Sequence, residues 1–164
     1  MTAASSTGQP SWPADNARVP GLVSESTRSE TVRTGHCLCL RIAYRVVGDP
    51  IDPHLCSCEH ETRISGAPAV LWVGFRRESL TWTGPGREPK WHSTYPTLHR
   101  GFCAECSSTI ASVDDTAPHL IAVNGFSLND RSGTDPVGHS YRHEAAPWMT
   151  ISLAPDLLLH RPSQ

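Results

Sequence analysis

The chain has 164 residues, a formal net charge of -2 and no apolar run near the ~20 residues of a membrane-spanning helix. That length suits one domain with a real core. The charge balance gives no electrostatic case for nucleic acid or for an anionic membrane. The start of the chain lacks a basic segment followed by an apolar one, so no secretory signal is expected. A cytoplasmic setting follows as the default, and thiols stay reduced there.

In chain order, Met1–Arg33 is rich in Ser, Thr, Pro and Ala and has no periodic apolar pattern. Such a segment buries too little apolar surface to offset its ordering entropy, and a disordered tail is expected there. The folded domain is expected over 34–164. Leu40, Ile42, Tyr44 and Val46 alternate with Arg41, Ala43, Arg45 and Val47, the period-two pattern of a half-buried strand. A short helical turn is expected near Glu59–Ile64. Ala69–Phe75 is an apolar run rich in β-formers, and Leu80–Thr83 precedes a Gly84-Pro85-Gly86 turn. Trp91–Tyr95, Thr109–Val113, Leu120–Val123, Ser140–His143 and Met149–Leu153 are further strand candidates. Many short strands with turn residues between them predict a mainly β, sandwich-like single domain with few helical turns.

The six cysteines form three short pairs: Cys37 with Cys39, Cys56 with Cys58, and Cys103 with Cys106. Two thiolates so close in sequence can hold one metal ion, and zinc takes four such ligands in a tetrahedron. Cys37, Cys39, Cys103 and Cys106 together make a four-cysteine set that would staple two distant parts of the chain, turning metal-binding free energy into folding free energy. Four buried free thiols are the alternative, since cysteine is among the most buried residue types. Ser107 follows the second knuckle, where a left-handed turn favours glycine. Cys56 and Cys58 are two apart, so in extended chain both point to one face. They need at least one more ligand, which Glu61 or His60 could supply; otherwise they are unmetallated loop thiols.

These residues resemble the glutathione-dependent formaldehyde-activating enzyme family, which also includes centromere protein V. The matching text is Gly35-His36-Cys37-Leu38-Cys39, then Cys56-Ser57-Cys58-Glu59-His60-Glu61, then Arg100-Gly101-Phe102-Cys103-Ala104-Glu105-Cys106, then His139 with Ala146-Pro147-Trp148. Gly66-Ala67-Pro68 and the apolar strand after it fit as well. The resemblance implies a β-sandwich-like fold with a structural zinc on Cys37, Cys39, Cys103 and Cys106. It also implies a second zinc with an open position, on Cys56, Cys58 and a third residue. Glu61 stands where the family has that third cysteine. Ser57 replaces a usual histidine, Ser107 a usual glycine, and Leu128-Asn129 a usual Leu-Asp.

Glutamate keeps the ligand's charge at minus one, and carboxylate donors are ordinary in catalytic zinc sites. Cys56, Cys58 and Glu61 are therefore the expected catalytic centre, with His60 in reserve. The activity implied is zinc-dependent carbon–sulfur lyase chemistry on a thiol–aldehyde adduct of the S-hydroxymethylglutathione type. Its partners would be a small-molecule thiol and an aldehyde. His139 and Asp130 are candidates for the proton-transfer step, though a hydrogen-bonded structural role is the expectation for His139. Arg100 could meet a substrate carboxylate or brace the knuckle, and Trp148 and Phe102 are expected in the core. The competing expectation is a non-catalytic zinc-binding interaction module that keeps only the four-cysteine site.

Overall fold

The computed structural model describes residues 31–151 and residue 153. Strands β1 (Val32–His36), β2 (Ala43–Val47) and β5 (Leu80–Trp82) form a three-stranded sheet in the order β1-β2-β5. A seven-stranded sheet takes in β3 (Ile51–Cys56), β4 (Val70–Arg76), β6 (Lys90–Ser93), β7 (Leu98–Phe102), β8 (Thr109–Asp114), β9 (Leu120–Asn124) and β10 (Gly138–Ser140). Its order is β10-β3-β4-β9-β8-β7-β6. Neighbours in it run antiparallel, except that β10 lies parallel to β3. Among the described residues the domain is thus mainly β, with two sheets and one short α-helix, α1 (Glu59–Ser65). No helix among the described residues is long and apolar enough to cross a membrane.

The sheets meet over a core that takes Ile42, Tyr44 and Val46 from β2 and the segment before it. Leu71, Val73 and Phe75 come from β4, Ile110 and Val113 from β8, and Ile121 and Val123 from β9. Burial of this apolar surface is the main driving force for the fold. The alternation in β4 explains its unbroken apolar run. Leu71, Val73 and Phe75 face the sandwich core, whereas Val70 and Trp72 join Cys56, Cys58 and Ala122 in a second cluster on the opposite face. Strand β4 is covered on both sides, which a continuous run of apolar residues permits and strict alternation would not.

Several boundaries differ from the sequence expectation. Strand β1 includes Val32 and Arg33, which the composition placed in the tail. Arg33 is buried and its Nη1 donates to the Asp130 carbonyl at 3.2 Å, so one polar partner far along the chain fixes this segment. Leu40 does not join β2. It sits at φ +65 in a tight turn, with its N–H donating to the Cys37 carbonyl at 3.1 Å, and is exposed. Strand β3 was not anticipated, because Asp52-Pro53-His54 carries loop residues; Asp52 at φ 43 makes a bulge that the ladder to β4 tolerates. Strand β7 was missed as well. The Ser140–His143 candidate ends at Ser140, because Tyr141 takes a left-handed φ of 55 and starts a 3-10 turn at Arg142–Glu144. No strand forms over 149–151 or at 153, the described part of the Met149–Leu153 candidate. Trp148, expected in the core, is 75% exposed.

Candidate metal centres

Cys37 and Cys39 lie in the turn after β1, and Cys103 and Cys106 in the turn after β7. Their four sulfurs all lie within 4.8 Å of one another. The Cys37–Cys39 and Cys39–Cys103 sulfur pairs are 3.6 Å and 3.7 Å apart. A tetrahedral zinc with Zn–S near 2.3 Å has sulfur–sulfur edges of about 3.8 Å, so the donor set and its spacing fit that ion. Backbone groups prepare each knuckle. The Ile42 N–H points at Cys37 Sγ at 3.3 Å, and Cys103 N–H donates to the Ser108 carbonyl at 3.0 Å. Ser107 adopts φ 61 with its N–H on the Cys103 carbonyl at 2.9 Å, so serine occupies the left-handed position expected of glycine. Ser108 Oγ accepts from the Leu38 N–H at 3.1 Å and lies 3.2 Å from Cys106 Sγ, tying one knuckle to the other. The Ser108 hydroxyl holds the Cys106 thiol down to about 5. An ionised sulfur is the form a metal binds.

The second pair sits on the other face of the large sheet. Cys56 ends β3, and Cys58 immediately precedes α1. Both are buried, against Val70, Trp72 and Ala122, with Tyr141 packed alongside. The Cys56 and Cys58 side chains act on each other electrostatically. That interaction is the main reason Cys58 is lowered to about 7 while Cys56 is raised, with burial adding to the rise at Cys56. The turn between them is pinned by Ser57, whose Oγ donates to the Pro68 carbonyl at 2.9 Å and lies 2.8 Å from His139 Nε2. Register explains how residues so far apart meet: Ser140 of β10 pairs with Cys56 of β3, and the Ser57 N–H reaches the Ser140 carbonyl at 3.1 Å.

Helix α1 turns Glu61 inward. Glu59 and Glu61 lie in its first turn, where acidic residues suit the positive end of the helix, and Arg63 lies in its last. Glu59 and Arg63 pair at 2.8 Å one turn apart, and Gly66 closes the helix at φ 67 with its N–H on the Thr62 carbonyl. Glu61 is the one buried residue of α1 and is fully inaccessible. Burial raises its carboxyl pKa, and the Arg100 guanidinium opposes that rise. Arg100 Nη2 pairs with Glu61 Oε1, and Arg100 Nη1 donates to Ser112 Oγ. The guanidinium also sits 5.1 Å from the centre of the Trp72 ring. Trp72 Nε1 pulls the carboxyl pKa down as well, but Trp72 Nε1 and Glu61 Oε2 make no hydrogen bond among the described residues.

The expected residues therefore divide. Cys37, Cys39, Cys103 and Cys106 come together fully. Cys56, Cys58 and Glu61 lie on one face of the sheet, yet among the described residues the four-cysteine group is the one set of potential ligands that closes within 4.8 Å. Glu61 Oε2 is a buried carboxylate oxygen without a hydrogen bond, and such an atom suits a cation in kind. His60 stacks on Tyr95 with ring centres 4.2 Å apart, and its buried Nδ1 makes no hydrogen bond among the described residues. Arg100 is 6% exposed and committed to Glu61 and Ser112, so it does not face solvent as a substrate anchor. Asp130 is exposed and joins Arg33. Sequence reasoning missed Trp72, Ser112, Tyr95 and Tyr141 as the surroundings of the second pair. Burial raises the pKa of Tyr95 and of Tyr141, the latter to about 12, and the nearby cysteine sulfurs add to both shifts. Period two within β4 separates Trp72 from Leu71 and Val73 and was the available signal for it; the tyrosines carried none.

A family model described as glutathione-dependent formaldehyde-activating enzyme matches residues 32–144. A crystal structure of a Rhodobacter sphaeroides protein superposes with a TM-score of 0.50 at 18% sequence identity, covering 65% of this chain and 99% of that one. That likeness speaks for the fold. No curated protein sequence matches the chain.

Proposed function

The chain belongs to the glutathione-dependent formaldehyde-activating enzyme family, and from that premise we propose a zinc-dependent enzyme of the carbon–sulfur lyase type. Its substrate is a thiol–aldehyde adduct of the S-hydroxymethylglutathione kind, made from a small-molecule thiol and formaldehyde or released as them. The observation that carries this reading is the Cys56–Cys58 pair set beside the buried Glu61 carboxylate, on a face of β4 separate from the sandwich core. Cys37, Cys39, Cys103 and Cys106 hold the structural ion. Cys56, Cys58 and Glu61 would hold the second, which supplies Lewis acidity and lowers the pKa of a thiol.

The chain's own groups prepare that chemistry. Cys58, lowered to about 7 chiefly by its contact with Cys56, is partly ionised at neutral pH. Val70 and Trp72 close off water from one side of the pair. Tyr141, raised to about 12 mainly by burial, packs beside the pair and stays protonated at neutral pH. His60 is the reserve nitrogen donor. A cytoplasmic location accords with this reading, because both cysteine sets must stay reduced.

Elemental analysis and a thiol panel test the proposal. The wild type should carry two zinc ions, Cys56→Ala and Glu61→Ala one each, and formaldehyde should be consumed with at least one of glutathione and other cellular thiols. No consumption with any thiol would sink the enzyme. A second reading, a zinc-binding interaction module, is favoured by the failure of Cys56, Cys58 and Glu61 to close as the four cysteines do. One zinc per wild-type chain would select it.

A further inference from the structure

Glutamate is longer than the cysteine whose place it takes, so a carboxylate at position 61 needs something to fix where its oxygens point. We propose that Arg100 is the positioning residue of the second metal centre: it grips Glu61 by Oε1 and leaves Oε2 as the donor offered toward Cys56 and Cys58. The inference rests on reading Cys56, Cys58 and Glu61 as a metal centre.

Arg100 is itself held on three sides. It lies on β7 opposite Ser112 of β8 in the ladder, and its Nη1 donates to the Ser112 hydroxyl. Its guanidinium carbon lies over the Trp72 ring, 5.1 Å from the ring centre. Its Nη2 takes Glu61 Oε1. The side chains of Arg100 and Glu61 are 8% and 0% exposed, so water does not compete for the pair. Oε2 makes no hydrogen bond of good geometry among the described residues, and neither does the Trp72 Nε1 that helps hold the carboxyl pKa down. A buried carboxylate with one oxygen bound and the other unbound is prepared to take one further cation through one oxygen. Ligating carboxylates are commonly fixed by just such an outer partner, and losing it costs about 10–100-fold in metal affinity. The positive charge also offsets the repulsion among two thiolates and a carboxylate gathered in a low-dielectric site. Lysine could not replace it. The guanidinium fork holds Ser112 and Glu61 through separate nitrogens in one plane, whereas an ammonium is a single point of charge.

Titration of the metal-free protein with Co(II), followed by absorption of the thiolate-to-metal bands, reads this out without any assay of turnover. The wild type should bind two ions. Arg100→Lys should keep the first ion and bind the second about 10–100-fold more weakly. Ser112→Ala, which removes an anchor of Arg100 while leaving the charge pair, should weaken the second ion in the same direction by less. Far-UV circular dichroism and retention of the first ion certify the fold, and Ser112→Ala decides the matter if Arg100→Lys fails that check. Second-site affinity unchanged in the folded variants overturns the role of Arg100 while leaving the metal centre standing. A wild type that binds one ion overturns the metal centre itself, and the assignment to Arg100 with it.

Discussion

Replacing Cys39 by alanine isolates the contribution of the four-cysteine site to stability. Cys37 and Cys103 are buried, so truncating either would open a cavity as well as remove a ligand; Cys39 is exposed, and its loss leaves packing intact. A metal ion held there would cross-link Cys39 and Cys103, 64 positions apart. Constraining a loop of that length removes chain entropy from the unfolded state worth about 4 kcal/mol at 25 °C, by the relation used for disulfides. Domains of this size are stable by about 5–15 kcal/mol, so the staple is a large share of the whole. Cys39→Ala should therefore lose its zinc and melt roughly 10–20 °C lower. Adding a chelator to the wild type should lower the melting temperature at least as far, since it strips the four-cysteine ion as well. Leu38→Ser, at a neighbouring position 83% exposed, should melt with the wild type. Differential scanning calorimetry beside elemental analysis checks each point. A Cys39→Ala protein that has lost its zinc yet unfolds at the wild-type temperature would refute the account, because the sulfur would then be dispensable to the fold.

Gly35→Ala should destabilise by about 1–3 kcal/mol, since its Cβ would fall 2.3 Å from Tyr44 Oη and 2.6 Å from the Ser127 carbonyl oxygen, in a packed region with no room to yield. The urea midpoint measures this, and an unchanged midpoint counts against the packing described between β1 and β2. The three tyrosines provide a pH test. Burial raises the pKa of Tyr44, Tyr95 and Tyr141, the last to about 12. Each folded value exceeds the unfolded one near 10, so the stability linked to the neutral phenols is fully present below pH ~10 and is lost as pH rises through the folded values. Tyrosinate absorption near 295 nm should be nearly absent from the native protein at pH ~10 and appear when denaturant is added at the same pH. Half-ionised tyrosine in the native state would contradict the burial.

The four-cysteine cluster was legible because it is written locally. Cysteine pairs two or three residues apart announce a shared ion wherever the chain carries them, and Ile42, Tyr44 and Val46 declare an inward face by parity alone. The helix at Glu59–Ser65 was legible for the same reason, with acidic residues at its start and Gly66 at its end. What could not be read was contact across the sheet. Nothing near Glu61 in sequence indicates that Arg100 will take up one of its oxygens, because that pairing depends on β7, β8, β9 and β4 lying side by side in that order. Strand β3 escaped notice because Pro53 and a bulge at Asp52 disguise it, and β1 because its buried Arg33 resembles a tail residue until its distant partner is known.

The pairing of β10 with β3 gives the second cysteine pair a timetable during synthesis. Ser57 and His139 are 82 positions apart, and β10 is the strand that covers the outer edge of β3. At translation rates of about 5–20 residues per second, the Cys56–Cys58 turn exists for roughly 4–16 seconds before the segment that pins it has been made. Through that interval two thiols lie next to an unpaired strand edge. That edge of β3 stays open until β10 is made.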